Sequence, residues 1–340
     1  MTETIARLYQ HWITQDLQVI AGFAIVFWLL RAGARNERWQ RAWVRMKRDR
    51  AGFIALGVVL LYLFVGALEI LQIPGKQGSR SILDVFFAGI PKEKSYSAPL
   101  AATLLNSARH EPIIGRHWLG TDVLGKDVLV QMLKACRTAL VIGGLTSAIY
   151  VPLGALLGVL AGYFRRWVDD VIQYIYSTLA SIPEILLLVA ILMVLGKGLG
   201  TMSIALGITG WVGLCRLIRG ETMRQSERPY IAAARAIGQT HWKIVTRHLL
   251  PNVMHLVLIS AVLGFSNIVL AEAILSYLGV GAPVGTASWG IMIDAGRTEL
   301  GRDPLVWWNI TAATTALFGL VLALNILGDA LRRAFDPKRT

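Results

Sequence analysis

Cysteine is nearly missing: Cys136 and Cys215 are the only two in 340 residues. Two thiols cannot supply a disulfide framework or a four-thiolate zinc site. Charge is thin as well, at 16% Asp, Glu, Lys and Arg, where soluble domains run near a quarter. With 55% hydrophobic residues and a mean hydropathy of +0.55, that scarcity excludes an ordinary water-soluble enzyme. The chain also lacks a long Ser/Pro-rich linker, a low-complexity run and an evident repeat. No His/Cys/Asp group has metal-ligand spacing, and no nucleophile–base constellation marks a catalytic centre. The charge that remains is lopsided, with 34 Lys and Arg against 21 Asp and Glu, a net +13.

Long apolar runs are what the chain has in abundance. A helix rises about 1.5 Å per residue and a bilayer core is about 30 Å thick, so about 20 apolar residues cross it. Residues 51–68, 138–164, 171–196, 199–215, 252–280 and 304–328 fit, the third interrupted only by Glu184 and the fifth only by Glu272. The prediction is an all-α, polytopic transmembrane bundle with six core spans. A further apolar stretch at 12–30 suits an interfacial or signal-anchor helix as well as an extra span. Residues 1–50 then form an N-terminal segment with this helix and a basic linker, and 51–340 the membrane domain.

Loops rich in Lys and Arg stay in the cytoplasm. Residues 31–50 carry +6 and 216–247 carry +5; with 165–170 and the tail 329–340 they hold 21 of the 34 basic residues. One topology satisfies this: those segments and the C-terminus inside, and 69–137, the turn at Lys197 and 277–303 outside. Basic charge thus orients the chain among lipids and calls for no nucleic acid. In the outer segment, Val85, Phe86 and Phe87 predict a surface helix over 81–90. Inside the spans, Gly143, Gly144, Gly154, Gly158 and Gly162 predict close helix packing.

The inner segment 216–251 is longer than a turn needs to be and reads as two short helices. Ala232, Ala233, Ala234 and Ala236 are strong helix formers with almost no side chain, a face able to lie flush on another surface. Gly238 suits the left-handed position that ends a helix, and Pro251 the first turn of the next span. From spacing alone this is either a docking element or a helix resting on anionic lipid. Outside, residues 120–126 match the first seven positions of a phosphate-binding G-x-x-x-x-G-K-[ST] loop. Asp127 stands eighth, where it repels phosphate and offers no hydroxyl to Mg²⁺, so an ATP site is rejected. Asp127 instead caps a helix starting at Val128, with Thr121 and Asp122 shaping a turn.

These segments together resemble one family. Ala233, Ala234, Gly238, Leu250 and Pro251 match the "EAA" loop of bacterial ABC importer permeases; Ala232 stands in place of its Glu and His248 in place of its Ile. Those departures suit the dipeptide/oligopeptide/nickel permeases of the C-subunit type, which carry a similar "Ala-Ala-Arg-Ala-x-Gly" including Arg235. Leu119, Gly120, Thr121, Asp122, Gly125, Lys126 and Asp127 resemble that subgroup's outer motif, with Lys126 replacing Arg. Residues 271–279 with Ser288-Trp289-Gly290, and 325–332 with Asp336-Pro337, resemble two more, all in the same order.

The resemblance implies the fold of a type I ABC importer permease in the bacterial cytoplasmic (inner) membrane. A homologous permease would complete a heterodimeric pathway. Two cytoplasmic ATPase subunits would bind ATP and Mg and engage the coupling loop, and an external or periplasmic solute-binding protein would deliver cargo, a peptide. This chain would bind no cofactor and catalyse nothing. Leu119 to Asp127 would order the outer mouth or face the delivery protein. Glu184, next to Pro183, reads as a polar contact on the substrate path, for example to a cationic peptide terminus, or as a hydrogen bond supporting a kink. Glu272 reads as a structural bond near the outer helix end. The rival readings are a proton-coupled secondary transporter using Glu184 and Glu272, and a permease for a nickel chelate or other small solute.

Overall fold

The computed structural model describes residues 37–75, 78–105, 111–283 and 285–335. The apolar stretch at 12–30 and the Asp336-Pro337 end of the C-terminal motif lie outside them. Helix α1 (Glu37–Arg48) is followed by α2 (Arg50–Ile70), and Asp49 between them caps α2 by accepting from the Gly52 N–H at 3.2 Å. A two-stranded antiparallel ribbon, β1 (Gln72–Gly75) and β2 (Gly78–Ser81), sets Ile73 opposite Arg80. It leads into α3 (Ile82–Phe86), opened by a Ser81–Asp84 capping box. The surface helix predicted over 81–90 is therefore one short turn.

The remaining elements are helices: α4 (Val128–Phe164), α5 (Arg166–Ala180), α6 (Glu184–Leu195), α7 (Leu199–Ser226), α8 (Pro229–Ala236), α9 (His241–Tyr277), α10 (Trp289–Glu299) and α11 (Trp308–Phe335). Helices α2, α4, α7, α9 and α11 are long and apolar enough to cross a membrane; α5 and α6, bent by 86°, make a sixth crossing if taken together. The single span expected over 171–196 is thus broken. Pro183 has no N–H to give and pushes Ile182 out of helical geometry, so the chain stops after Ala180 and restarts at Glu184.

Two helices run beyond the apolar windows because their charges find partners. Helix α4 starts at Val128, where the Asp127 cap places it and ahead of the apolar run at 138; Lys134 in this first stretch pairs with Asp84 and lies 3.7 Å from Glu69. Helix α7 continues to Ser226 rather than stopping near 215. There Arg219 forks onto Asp169 of α5 (Nη2 to Oδ2, 2.7 Å) and Arg216 lies 4.7 Å from the Tyr176 ring centroid.

Packing explains most of the intramembrane glycines. Helices α4 and α7 lie parallel, and a Cβ on Gly154, Gly158 or Gly162 would fall 2.9, 2.8 or 2.7 Å from the carbonyl oxygens of Trp211, Cys215 and Arg219. Small residues let the backbones meet here, where apolar burial supplies no drive between helices in lipid. Gly144, also predicted to pack, faces open space. A second apolar core joins α1, α2, α10 and α11 to α4.

The bundle has two chemically distinct ends. At one, Arg333 pairs with Asp49 at 2.7 Å, Arg45 donates to the Ala334 carbonyl at 3.4 Å and Arg165 pairs with Glu227 at 2.8 Å. The basic segments thus gather together. At the other lie the ribbon, the irregular segments 87–105 and 111–127, and α10.

Candidate functional site: a mid-bundle cavity and a helical loop at the basic end

A cavity of about 640 Å³ opens halfway along the bundle, where the α5–α6 break meets α4, α7 and α9. Its walls are mostly apolar, with Tyr150, Thr209, Asn267, Pro183 and Glu184 among them. Glu184 stands exposed in the first turn of α6 and has no hydrogen-bond or ion-pair partner among the described residues. The neighbouring-helix hydrogen bond that would have made it a kink support is not formed there. Glu272, by contrast, is 1% exposed and accepts from Ser276 Oγ at 2.8 Å and Ser288 Oγ at 2.7 Å. Ser288 caps α10 through the Gly290 N–H, so Glu272 ties the end of α9 to the start of α10. The two glutamates are not brought together: Glu184 lines the cavity and Glu272 does not.

At the basic end, α8 is finished by a Schellman turn. The Gly238 N–H reaches the Arg235 carbonyl and the Gln239 N–H the Ala234 carbonyl at 3.1 Å, with Gly238 at φ +74°. Thr240 then caps α9 by accepting from the Lys243 N–H. Helix α9 absorbs Pro251 without stopping, through a π turn at Val245–Leu249 that closes with a Leu250 N–H to Val245 carbonyl bond. The boundary expected at Pro251 is therefore absent, and loop and span form one helix.

Side chains fasten α8 to that helix. His248 Nε2 and Gln239 Oε1 are 2.9 Å apart, and Asn252 donates to the His248 carbonyl at 2.7 Å and to Tyr230 Oη at 3.3 Å. Tyr163 Oη and His241 Nδ1 lie 2.8 Å apart, with Arg235 over the Tyr163 ring. Ile231 and Ala234 are buried against the bundle, whereas Ala232, Ala233, Ala236, Ile237 and Gly238 face outward. Ala234 is thus no part of the flush outer face that the alanine run suggested. Leu250 is half-buried and Pro251 exposed.

The motif Leu119 to Asp127 lies at the opposite end and is folded inward. Thr121 Oγ1 accepts from the Ser97 N–H at 2.7 Å, and Asp122 accepts from the N–H groups of Leu124 and Lys126 and from Gln131 Nε2. Gly120 (φ +72°) and Gly125 (φ +69°) both need left-handed backbone, and a Cβ on Gly125 would strike the Glu93 carbonyl. Asp127 caps α4 through the Val130 N–H at 3.0 Å while its other oxygen meets His117 Nδ1 at 2.8 Å. The far His117 nitrogen, Nε2, lies 3.2 Å from Glu93. Burial alone would raise the Glu93 carboxyl, but the Gly115 and Ile114 N–H groups and the His117 ring outweigh it and hold it below the usual range. Sequence reasoning missed Glu93 and the bridge that His117 makes from it to Asp127, which forms only in the folded chain. It missed Tyr163, Gln239 and Tyr230 for the same reason.

The chain is similar to known transport proteins. Residues 154–340 match the family model described as the binding-protein-dependent transport system inner membrane component. The dipeptide transport system permease protein DppC of Bacillus subtilis is 30% identical over 299 residues, 88% of this chain and 85% of that protein. The oligopeptide transport system permease protein OppC of the same organism is 29% identical, over 88% of this chain and 90% of that protein. The glutathione transport system permease protein GsiD of Pectobacterium atrosepticum is 35% identical over 65% of this chain and 73% of that protein. The chain therefore belongs to the inner membrane permeases of binding-protein-dependent ABC transporters, multi-pass and non-catalytic subunits of a transport machine.

Proposed function

We propose that this chain forms half of the translocation pathway of an ATP-driven importer of di- or oligopeptides. Its cargo assignment rests on relatives named for dipeptides, oligopeptides and glutathione, itself a tripeptide. A homologous permease supplies the other half, and two ATPase subunits hold ATP and Mg at the basic end, which faces the cytoplasm with the C-terminus. A solute-binding protein delivers cargo at the opposite end, where Leu119 to Asp127 order the outer segment.

The observation that carries this reading is the outward face of Ala232, Ala233 and Ile237 on a helix locked to α9 by Gln239, His248, Asn252 and Tyr230. A push on α8 passes into a helix that continues without a break to the cavity, and the Pro183 break gives the neighbouring crossing room to swing. Ala233→Trp is the direct test. It is expected to abolish co-purification of the ATPase subunits while the chain still reaches the membrane. Wild-type recovery of those subunits together with normal peptide uptake rejects the proposal.

A further inference from the structure

Resting on the importer reading above, we infer that Glu184 gives the pathway a preference for cargo carrying a cationic side chain. The cavity beside α6 has one acidic side chain in its lining, Glu184, and no basic one. Other carboxylates set into the bundle are consumed by the fold: Asp169 by Arg219, Glu272 by Ser276 and Ser288. Glu184 has no such partner among the described residues and stands exposed at the mouth of the helix break. A carboxylate kept at a membrane's depth carries a desolvation cost that only a cation, a donor or water can offset. Around it, Thr209 and Tyr150 donate their protons to carbonyls of the protein, Thr209 to Ala205 and Tyr150 near Ser260 and Ala261. With these donors engaged, the position is suited to receive a side-chain ammonium group brought from outside the chain, as on a cargo lysine.

The size of the effect follows from Coulomb's law. A unit pair about 4 Å apart in a hydrated cavity gains about five-fold in occupancy. Cargo of net charge +1, 0 and −1 should then rank in that order at this step. Delivery by the external protein is common to all variants and cancels in a ratio.

The experiment uses the complete transporter in its membrane, with Ala-Lys-Ala, Ala-Ala-Ala and Ala-Glu-Ala as competing cargo. Glu184→Gln is expected to lower Ala-Lys-Ala uptake about five-fold relative to Ala-Glu-Ala. Glu184→Asp should keep the wild-type order and Glu184→Lys should invert it. Co-purification of the ATPase subunits reports that each variant is assembled. Uptake of all three peptides scaled by one common factor in Glu184→Gln, unity included, overturns the inference while leaving the importer intact. A wild-type transporter that moves none of the three with ATP defeats the importer reading, and this inference falls with it.

Discussion

A carboxylate can be stabilised by donors or exposed for use, and this chain does both. Buried Glu93 sits among the N–H groups of Ile114 (2.7 Å) and Gly115 (3.0 Å) and the buried His117 ring. Its folded pKa is depressed, so its contribution to stability is complete above the ordinary carboxylate range and is lost as pH falls through the folded value. Thermal unfolding of wild type and Glu93→Gln should therefore differ most near neutral pH, and the gap should close under acid conditions below about pH 4. A constant gap across that range contradicts the assignment. At this scale the sequence was legible where a residue acts on its own backbone. Asp127 as a helix cap and Gly238 as a left-handed terminator both follow from local rules. Glu93 and His117 were not legible, because their meeting depends on how the outer segment folds back onto the start of α4.

At the scale of elements, apolar runs located the membrane crossings, and proline marked two of the places where helices change character. It did not tell a bend from a bulge. Pro183 breaks a crossing by 86°, whereas Pro251 is carried through by a π turn. The difference lies upstream: the residues before Pro251 widen into i to i−5 bonding, while those before Pro183 end in a plain cap. Charged residues hid the far end of α7, since a loop and a helix with paired charges look alike in sequence. Gly238 makes the element-scale prediction. At φ +74°, a residue with a Cβ costs about 1–2 kcal/mol, most for a β-branched side chain. Gly238→Val should uncouple cargo-stimulated ATP hydrolysis from uptake in the assembled transporter, and Gly238→Asn, which tolerates this conformation, should retain much of it. Equal behaviour of the two variants would show that the turn's handedness is unimportant.

For the whole molecule, the parallel pairing of α4 with α7 is the feature that organises the rest. Gly158→Leu must force a side chain where the Cys215 carbonyl already stands, an overpacking worth about 1–3 kcal/mol. Gly144→Leu places the same side chain in open space. Melting of the purified complex should drop for Gly158→Leu and hold for Gly144→Leu; the reverse order would dismiss the seam as a determinant. Glycines in the sequence pointed to close packing but could not say which ones touch, because that depends on the rotation of a partner helix far along the chain.

That glycine seam also dictates where movement is permitted. Carbonyl oxygens rest where side chains would begin, so the two helices have no play between them and behave as a single axle. In the importer proposed above, a stroke delivered at α8 would then be taken up on either side of that axle: by the elbow ahead of Glu184, and by α9 shearing along a stationary neighbour.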